Sequence, residues 1–247
     1  MERRAALVTG GSRGIGAATV HALASRGFAV AFTYRSRTRR AEQVVADGHA
    51  TGSEVLAIRG DMTVPGELAE VFARLRQWTD HLDVVVLNAS GGLERDRLAE
   101  DPDYPMRINR DAQLALIDNA LPLLGSGATA VLVTSHWAHL YGRIEQLPAY
   151  EPVARTKHAG EQALRRHAGL RERGVRLLVV TGDLVDGTVT PMLLERAARG
   201  MTDERRREIG RLPTAAEVGE AIARAAVDPG LPSGHTVVVG GALDTVT

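Results

Sequence analysis

Thr9-Gly10-Gly11-Ser12-Arg13-Gly14-Ile15-Gly16 decides the fold. The apolar run 5–9 leads into it, and a segment with helical periodicity, 17–26, leaves it. Glycines permit a tight turn and let the backbone approach a pyrophosphate. A helix starting there offers unpaired N–H groups and the positive end of its dipole to an anion. A glycine-rich string alone is weak evidence; strand before and helix after is the context it requires. The stretch therefore predicts a dinucleotide cradle built from Gly10, Ser12, Arg13, Gly14, Ile15 and Gly16.

Working outward, short apolar runs recur at 28–33, 55–58, 83–87, 130–134, 175–180 and 236–239. Helical periodicity fills 65–78, 112–124 and 154–173 between them. Continuous apolar strands are buried on both faces, which requires a parallel sheet between helix layers. The alternation predicts an α/β chain with a Rossmann-type, doubly wound sheet of about seven parallel strands. Residues 1–247 read as one domain, and the polar stretch 184–212 as a lid over its site. Apolar residues make up 44% of the 247, enough for a sizeable core. Formal net charge is zero, so nothing global favours nucleic acid or an anionic membrane. No cysteine is present, which fits a reducing cytoplasm. The apolar run near the N-terminus is too short for a targeting core. A cytoplasmic protein without nucleic-acid or membrane partners is the expectation.

The glycine string resembles the T-G-x-x-x-G-x-G signature of the short-chain dehydrogenase/reductase family. Further matches follow in order. Asp61 and Met62 follow the third strand, where the family binds adenine. Asn88-Ala89-Ser90-Gly91 resembles the N-A-G motif with a serine inserted. Asn109 stands at the structural and catalytic asparagine, and Ser135 at the active-site serine. Thr181-Gly182 replaces the usual Pro-Gly, and Leu184 follows. Gly240-Gly241 matches the terminal glycine pair. The resemblance implies cofactor contacts at Asn88, Ala89, Ser90, Lys157, Gly182 and Leu184. It also implies homo-oligomers built on the helices at 112–124 and 154–173.

The second strand sets the cofactor preference. An NAD site places an acid there for the ribose 2′-hydroxyl. This strand instead runs into Tyr34-Arg35-Ser36-Arg37, with no acid before Glu42. Arg35 and Ser36 offer the cation and hydroxyl that a 2′-phosphate needs, and Arg13 lies close in this fold. NADP(H) is the expected cofactor. Arg39 and Arg40 read as a solvated charged loop.

The family's proton donor is the tyrosine of Y-x-x-x-K. The chain's one lysine, Lys157, sits in a matching segment, but Val153 occupies the tyrosine position. Tyr150 lies seven residues ahead of Lys157, about 10 Å along a helix axis. With Pro152 at the first helical position, Tyr150 falls in the preceding loop. The stretch between Ser135 and Val153 is longer than in the family, so Tyr150 can fold back over the site. His136, Trp137 and His139 read as pocket residues, and Tyr141 as a weaker acid candidate.

Three readings follow. One is a non-catalytic NADP(H) sensor. One is an ordinary ketoreductase using Tyr150 or water as acid, with Ser135, Lys157 and Asn109. In the third the substrate assists. A simple ketone gives an alkoxide with a conjugate-acid pKa of ~16, whereas a phenol-type product gives one of ~10. At about 1.36 kcal/mol per pH unit the gap is ~8 kcal/mol, more than the ~3–5 kcal/mol of a general acid. A polycyclic aromatic ketone with adjacent hydroxyls then needs no tyrosine, and Tyr150→Phe would leave most activity. The chain resembles aromatic polyketide (angucyclinone) ketoreductases, which makes this the leading expectation.

Overall fold

The computed structural model describes residues 3–197 and 199–246. Seven strands are β1 (Arg4–Val8), β2 (Phe28–Tyr34), β3 (Val55–Arg59), β4 (Leu82–Leu87), β5 (Leu124–Ser135), β6 (Arg176–Gly182) and β7 (Thr236–Val239). They form one parallel sheet in the order β3-β2-β1-β4-β5-β6-β7. The order reverses between β1 and β4, and in such sheets ligands bind outside the strand C-termini at that point. The first helices are α1 (Gly14–Ala24), α2 (Thr38–Ala50), α3 (Pro65–Trp78), α4 (Arg95–Glu100), α5 (Tyr104–Met106) and α6 (Ala112–Ala120). After β5 come α7 (His136–His139), α8 (Glu151–Arg165) and α9 (Ala168–Glu172). Then follow α10 (Val189–Ala197), α11 (Met201–Ile209) and α12 (Ala215–Val227).

Two cores flank the sheet. Leu68, Phe72 and Leu75 of α3, Leu116 and Ile117 of α6, and Leu164 of α8 pack on one face. Val20 and Leu23 of α1, Val44 of α2, and Val218 and Ile222 of α12 pack on the other. Full burial of each such side chain is worth about 1.5–3 kcal/mol. Local signals start the helices: Pro65 opens α3, and Thr214 with Glu217 forms a capping box on α12. A third apolar cluster lies beyond the strand ends. It joins Trp137, Tyr150, Val153, Leu184, Leu194 and Leu212, and it walls the site.

The periodic segment 154–173 is not one helix. It breaks at Arg166 and His167, where His167 takes extended backbone (φ −65°, ψ 113°) and Nε2 meets Asp118 at 3.1 Å. Arg39 and Arg40 are exposed as expected, but they begin a helix rather than a loop. The strand at 130–134 extends back to Leu124, because a register shift lets Leu82 pair with Leu124. The stretch 184–212 carries two helices, α10 and α11.

Candidate active site

The glycine turn is as tight as its sequence demands. A Cβ on Gly16 would stand 2.2 Å from the Gly10 carbonyl oxygen, and one on Gly11 would stand 2.5 Å from Phe32 Cβ. Helix α1 begins at Gly14, so Gly14-Ile15-Gly16 is its first turn, with N–H groups directed out of the sheet edge. Asn88 braces the turn: its Nδ2 donates to the Thr9 carbonyl at 2.9 Å. Thr9 Oγ1 in turn accepts from the N–H groups of Asn88 and Ala89, both at 2.9 Å. β1 and β4 are thereby held together at the point where the strand order reverses.

Four arginines converge beside the turn. Half-burial lowers the Arg13 guanidinium below its ordinary range, and Arg40, Arg37 and Arg35 push it the same way. A guanidinium does not shed its proton, so the cluster keeps its positive charge, with Glu94 as the opposing carboxylate acting on Arg13. Arg35 and Ser36 stand exposed at the end of β2, as expected. Arg35 Nη1 donates to Tyr104 Oη at 3.0 Å and lies 3.8 Å from Asp61. Arg97 stacks over the Tyr104 ring at 4.7 Å and pairs with Asp61 at 3.5 Å. Burial raises the Asp61 carboxyl, but hydrogen bonds from Thr63 and the two arginines outweigh it and hold the group low. Arg40, read from sequence as part of a solvated loop, acts on Arg13 together with Arg37 from the start of α2, whereas Arg97 and Tyr104 were not assigned from sequence because α4 and α5 bring them here from elsewhere in the chain.

A cavity of about 230 Å³ opens from this edge. Arg13, Ile15, Asn88, Ser90, Gly182 and Leu184 line it, together with Ser135, Tyr150 and Lys157. Tyr150 is the N-cap of α8, so the chain before it curls back under the cavity. Tyr150, Val153 and Lys157 then fall on one helix stripe at spacings of three and four. Tyr150 Oη donates to Ser135 Oγ at 3.0 Å. Ser135 caps α7 by accepting from the Ala138 N–H at 3.2 Å. Burial raises the Tyr150 phenol, and the Ser135 contact opposes this. Burial lowers the Lys157 ammonium to about 8, with Glu161 one turn along pulling the other way. Val153 is buried and faces the Gly92 turn.

Asn109, expected as a structural and catalytic asparagine, does not line the cavity. It lies in a π-helical turn, Arg107–Asp111, where Nδ2 donates to the Gly91 carbonyl at 2.9 Å and to Thr156 Oγ1 at 3.0 Å. It braces the Gly91 turn against α8. His136 and His139 are not cavity residues either. His136 Nε2 donates to the Gly241 carbonyl at 2.9 Å while Nδ1 accepts from Thr181 at 3.0 Å. Burial drives its pKa down to about 4, so the ring is neutral. His139 binds Glu161 at 2.9 Å. Tyr141 donates to Glu151 at 2.7 Å, away from the cavity. Trp137 does line the cavity, as do Leu93, Glu94, Asp183 and Leu194, which sequence left unassigned.

Comparison with known proteins bears on this arrangement. A family model described as enoyl-(acyl carrier protein) reductase matches residues 10–241. A hydroxynaphthalene reductase-like protein of Metarhizium majus is 33% identical over 192 residues, covering 76% of this chain and 70% of that protein. The like-named protein of Metarhizium anisopliae is 33% identical, and 61% of its length is spanned. A short-chain dehydrogenase of Burkholderia cenocepacia, solved with NADP, superposes with a TM-score of 0.82 at 29% identity over 98% of both chains. The reductase LugOII, described as catalysing keto-reduction at C1 in lugdunomycin biosynthesis, gives 0.80 at 27% identity over 97% of this chain and 98% of its own. The glycine turn, the strand order and the match over residues 10–241 place the chain in the short-chain dehydrogenase/reductase family.

Proposed function

We propose that the chain is an NADPH-dependent ketoreductase acting on a carbonyl of a polycyclic aromatic, polyketide-type substrate, with Tyr150 as the proton donor. The observation that carries the reading is the Tyr150–Ser135 hydrogen bond inside the cavity that also holds Lys157. It restores a phenol to the site although Val153 occupies the usual position. It also favours an enzyme over a cofactor sensor.

The chain's own groups fit NADP(H). Gly11 and Gly16 let the turn close tightly on Phe32 and the Gly10 carbonyl, where any Cβ would clash, and so shape the cradle. The cluster of Arg13, Arg35, Arg37 and Arg40 asks for a 2′-phosphate, and Ser36 adds a hydroxyl donor. Asp61 and Met62 lie at the adenine end, and Ala89, Ser90, Gly182 and Leu184 at the nicotinamide end. When bound, the cofactor supplies a hydride. Lys157 holds the ribose hydroxyls, Ser135 donates to the substrate carbonyl, and Tyr150 passes its proton to the oxygen as charge develops there. A phenol held above its ordinary pKa remains protonated at neutral pH and so keeps a proton to give. Water then restores the proton. Residues 184–212 act as the lid, within one domain spanning 1–247.

The substrate class rests on the walls and the relatives. Leu93, Trp137, Val153, Leu184 and Leu194 give the cavity an apolar wall on which an aromatic ring would pack. Two of the relatives named above are described as hydroxynaphthalene reductase-like, and a third as catalysing keto-reduction at C1 in lugdunomycin biosynthesis. A second reading, substrate assistance, draws on Val153 and on the two helical turns that separate Tyr150 from Lys157. The test is NADPH oxidation with a panel of hydroxylated aromatic ketones. No turnover across the panel sinks the proposal; turnover of simple ketones alone sinks the substrate class.

A further inference from the structure

A buried ion pair ties α11 to the end of β6. Asp183 follows Gly182 at the end of β6, and its side chain is wholly buried. Arg205 of α11 reaches that carboxylate with Nε, at 3.1 Å from both oxygens, and with Nη2 at 2.7 Å. The Leu184 N–H donates to Asp183 Oδ1 at 2.7 Å, and the Gly241 N–H to Oδ2 at 3.2 Å. Arg205 Nη1 donates to the Thr245 carbonyl at 2.6 Å and to Glu208 at 2.8 Å. The same guanidinium stands 5.7 Å from the centroid of the Trp137 ring. One side chain thus joins α11, the loop after β6, the segment after β7 and a wall of the cavity.

The terminal glycines make room for this pair. Gly240 has φ +100°, and a Cβ there would lie 2.7 Å from Asp183 Cβ. A Cβ on Gly241 would lie 2.7 Å from both Arg205 Nη2 and Asp183 Oδ2. A buried ion pair is a poor device for raw stability, because desolvation offsets most of its Coulomb attraction. Its better-attested use is to fix one arrangement among several of similar energy. Here the arrangement fixed is the backbone from Gly182 to Leu184, which forms part of the cavity wall.

We infer that the Asp183–Arg205 pair is a clasp that positions residues 182–188 and the α10–α11 segment against the nicotinamide half of the cofactor. The inference rests on the placing of that half at Gly182 and Leu184 proposed above. Arg205 is a positioning residue: it acts through Asp183 and touches no reacting atom. The adenosine 2′-phosphate half lies at the other end of the site, by Arg13 and Arg35, and is independent of the clasp.

Binding measurements separate the two halves. NADPH is titrated into the full chain by nicotinamide fluorescence, and 2′,5′-ADP, which carries only the adenosine half, by calorimetry. Arg205→Met raises the Kd for NADPH tenfold or more and leaves that for 2′,5′-ADP within twofold. Arg205→Lys keeps the charge but loses the two-pronged fork, and gives a smaller change in the same direction; it serves where the methionine variant fails to fold. Equal weakening of both ligands would mean a general structural role and overturn the inference, as would an unchanged NADPH affinity. The readout needs no ketone, so a failed ketone assay strikes the proposed function alone.

Discussion

Tyr150→Phe separates the two mechanisms that the site allows. The phenyl ring stays: Tyr150 is 5% exposed within the cluster of Trp137, Val153 and Leu184, and phenylalanine fills the same space. What leaves is one hydroxyl, with its hydrogen bond to Ser135 Oγ. Ser135 keeps the Ala138 N–H at 3.2 Å and is not orphaned. The stability loss is therefore that of one neutral hydrogen bond, about 1 kcal/mol, or ~2–4 °C in Tm for a chain of this size. The kinetic loss is larger. A general acid contributes about 10²–10⁴-fold, or ~3–5 kcal/mol of barrier. The variant should thus remain folded and bind NADPH normally while kcat falls by two orders of magnitude or more. Single-turnover NADPH absorbance with a hydroxylated aromatic ketone measures this directly. A kcat within about tenfold of the unaltered chain would refute the argument and return proton management to the substrate.

Arg35→Ala should raise the KM for NADPH far more than that for NADH; equal effects would remove Arg35 from the 2′-phosphate site. Lys157 gives an alkaline signature. Its ammonium, lowered to about 8, is charged below that pH and neutral above it, so NADPH affinity should fall as pH rises through 8. In the same window the folded chain releases a proton that the unfolded chain keeps up to its ordinary 10.5, so stability rises with pH from about 8 to 10.5. Lys157→Met should flatten both curves, measured by NADPH titration and by Tm against pH. His136 gives the acid counterpart. Its folded pKa of about 4 lies below the ordinary 6.5, so stability present above 6.5 is lost as pH falls toward 4. His136→Gln should shrink that loss in a Tm series; an unchanged slope would mean that other groups dominate.

The glycine turn, the strand–helix alternation and the pairing of Arg13 with Arg35 beside the turn were legible because each is written locally. A strand, a tight turn and a helix are written in consecutive residues, and the lack of an acid after β2 is a fact of composition at one place. Tyr150 was legible only as a candidate. Helical spacing put it two turns from Lys157, and its closeness to Ser135 depends on how residues 140–150 curl. The histidines misled for a similar reason. Adjacent to Ser135 in sequence, they turn away because Thr181, Gly241 and Glu161 offer buried hydrogen-bond partners on the far side. Asn109 bonds the Gly91 backbone and Thr156, partners from distant segments, so its bracing position behind the site was not readable from its own sequence neighbourhood.

By itself the sequence determined that this chain winds a parallel sheet around a phosphate-binding turn and that one lysine stands at the family's catalytic spacing. Those properties follow from periodicity, glycine and helix geometry, which operate over a few residues. Only the tertiary structure decided that a phenol returns to Ser135 from the N-cap of α8, and that Arg205 of α11 reaches Asp183 at the end of β6. Both are contacts between residues 15 and 22 positions apart in the chain, and they form because buried polar groups must find hydrogen-bond partners that only the packing of those segments brings within reach.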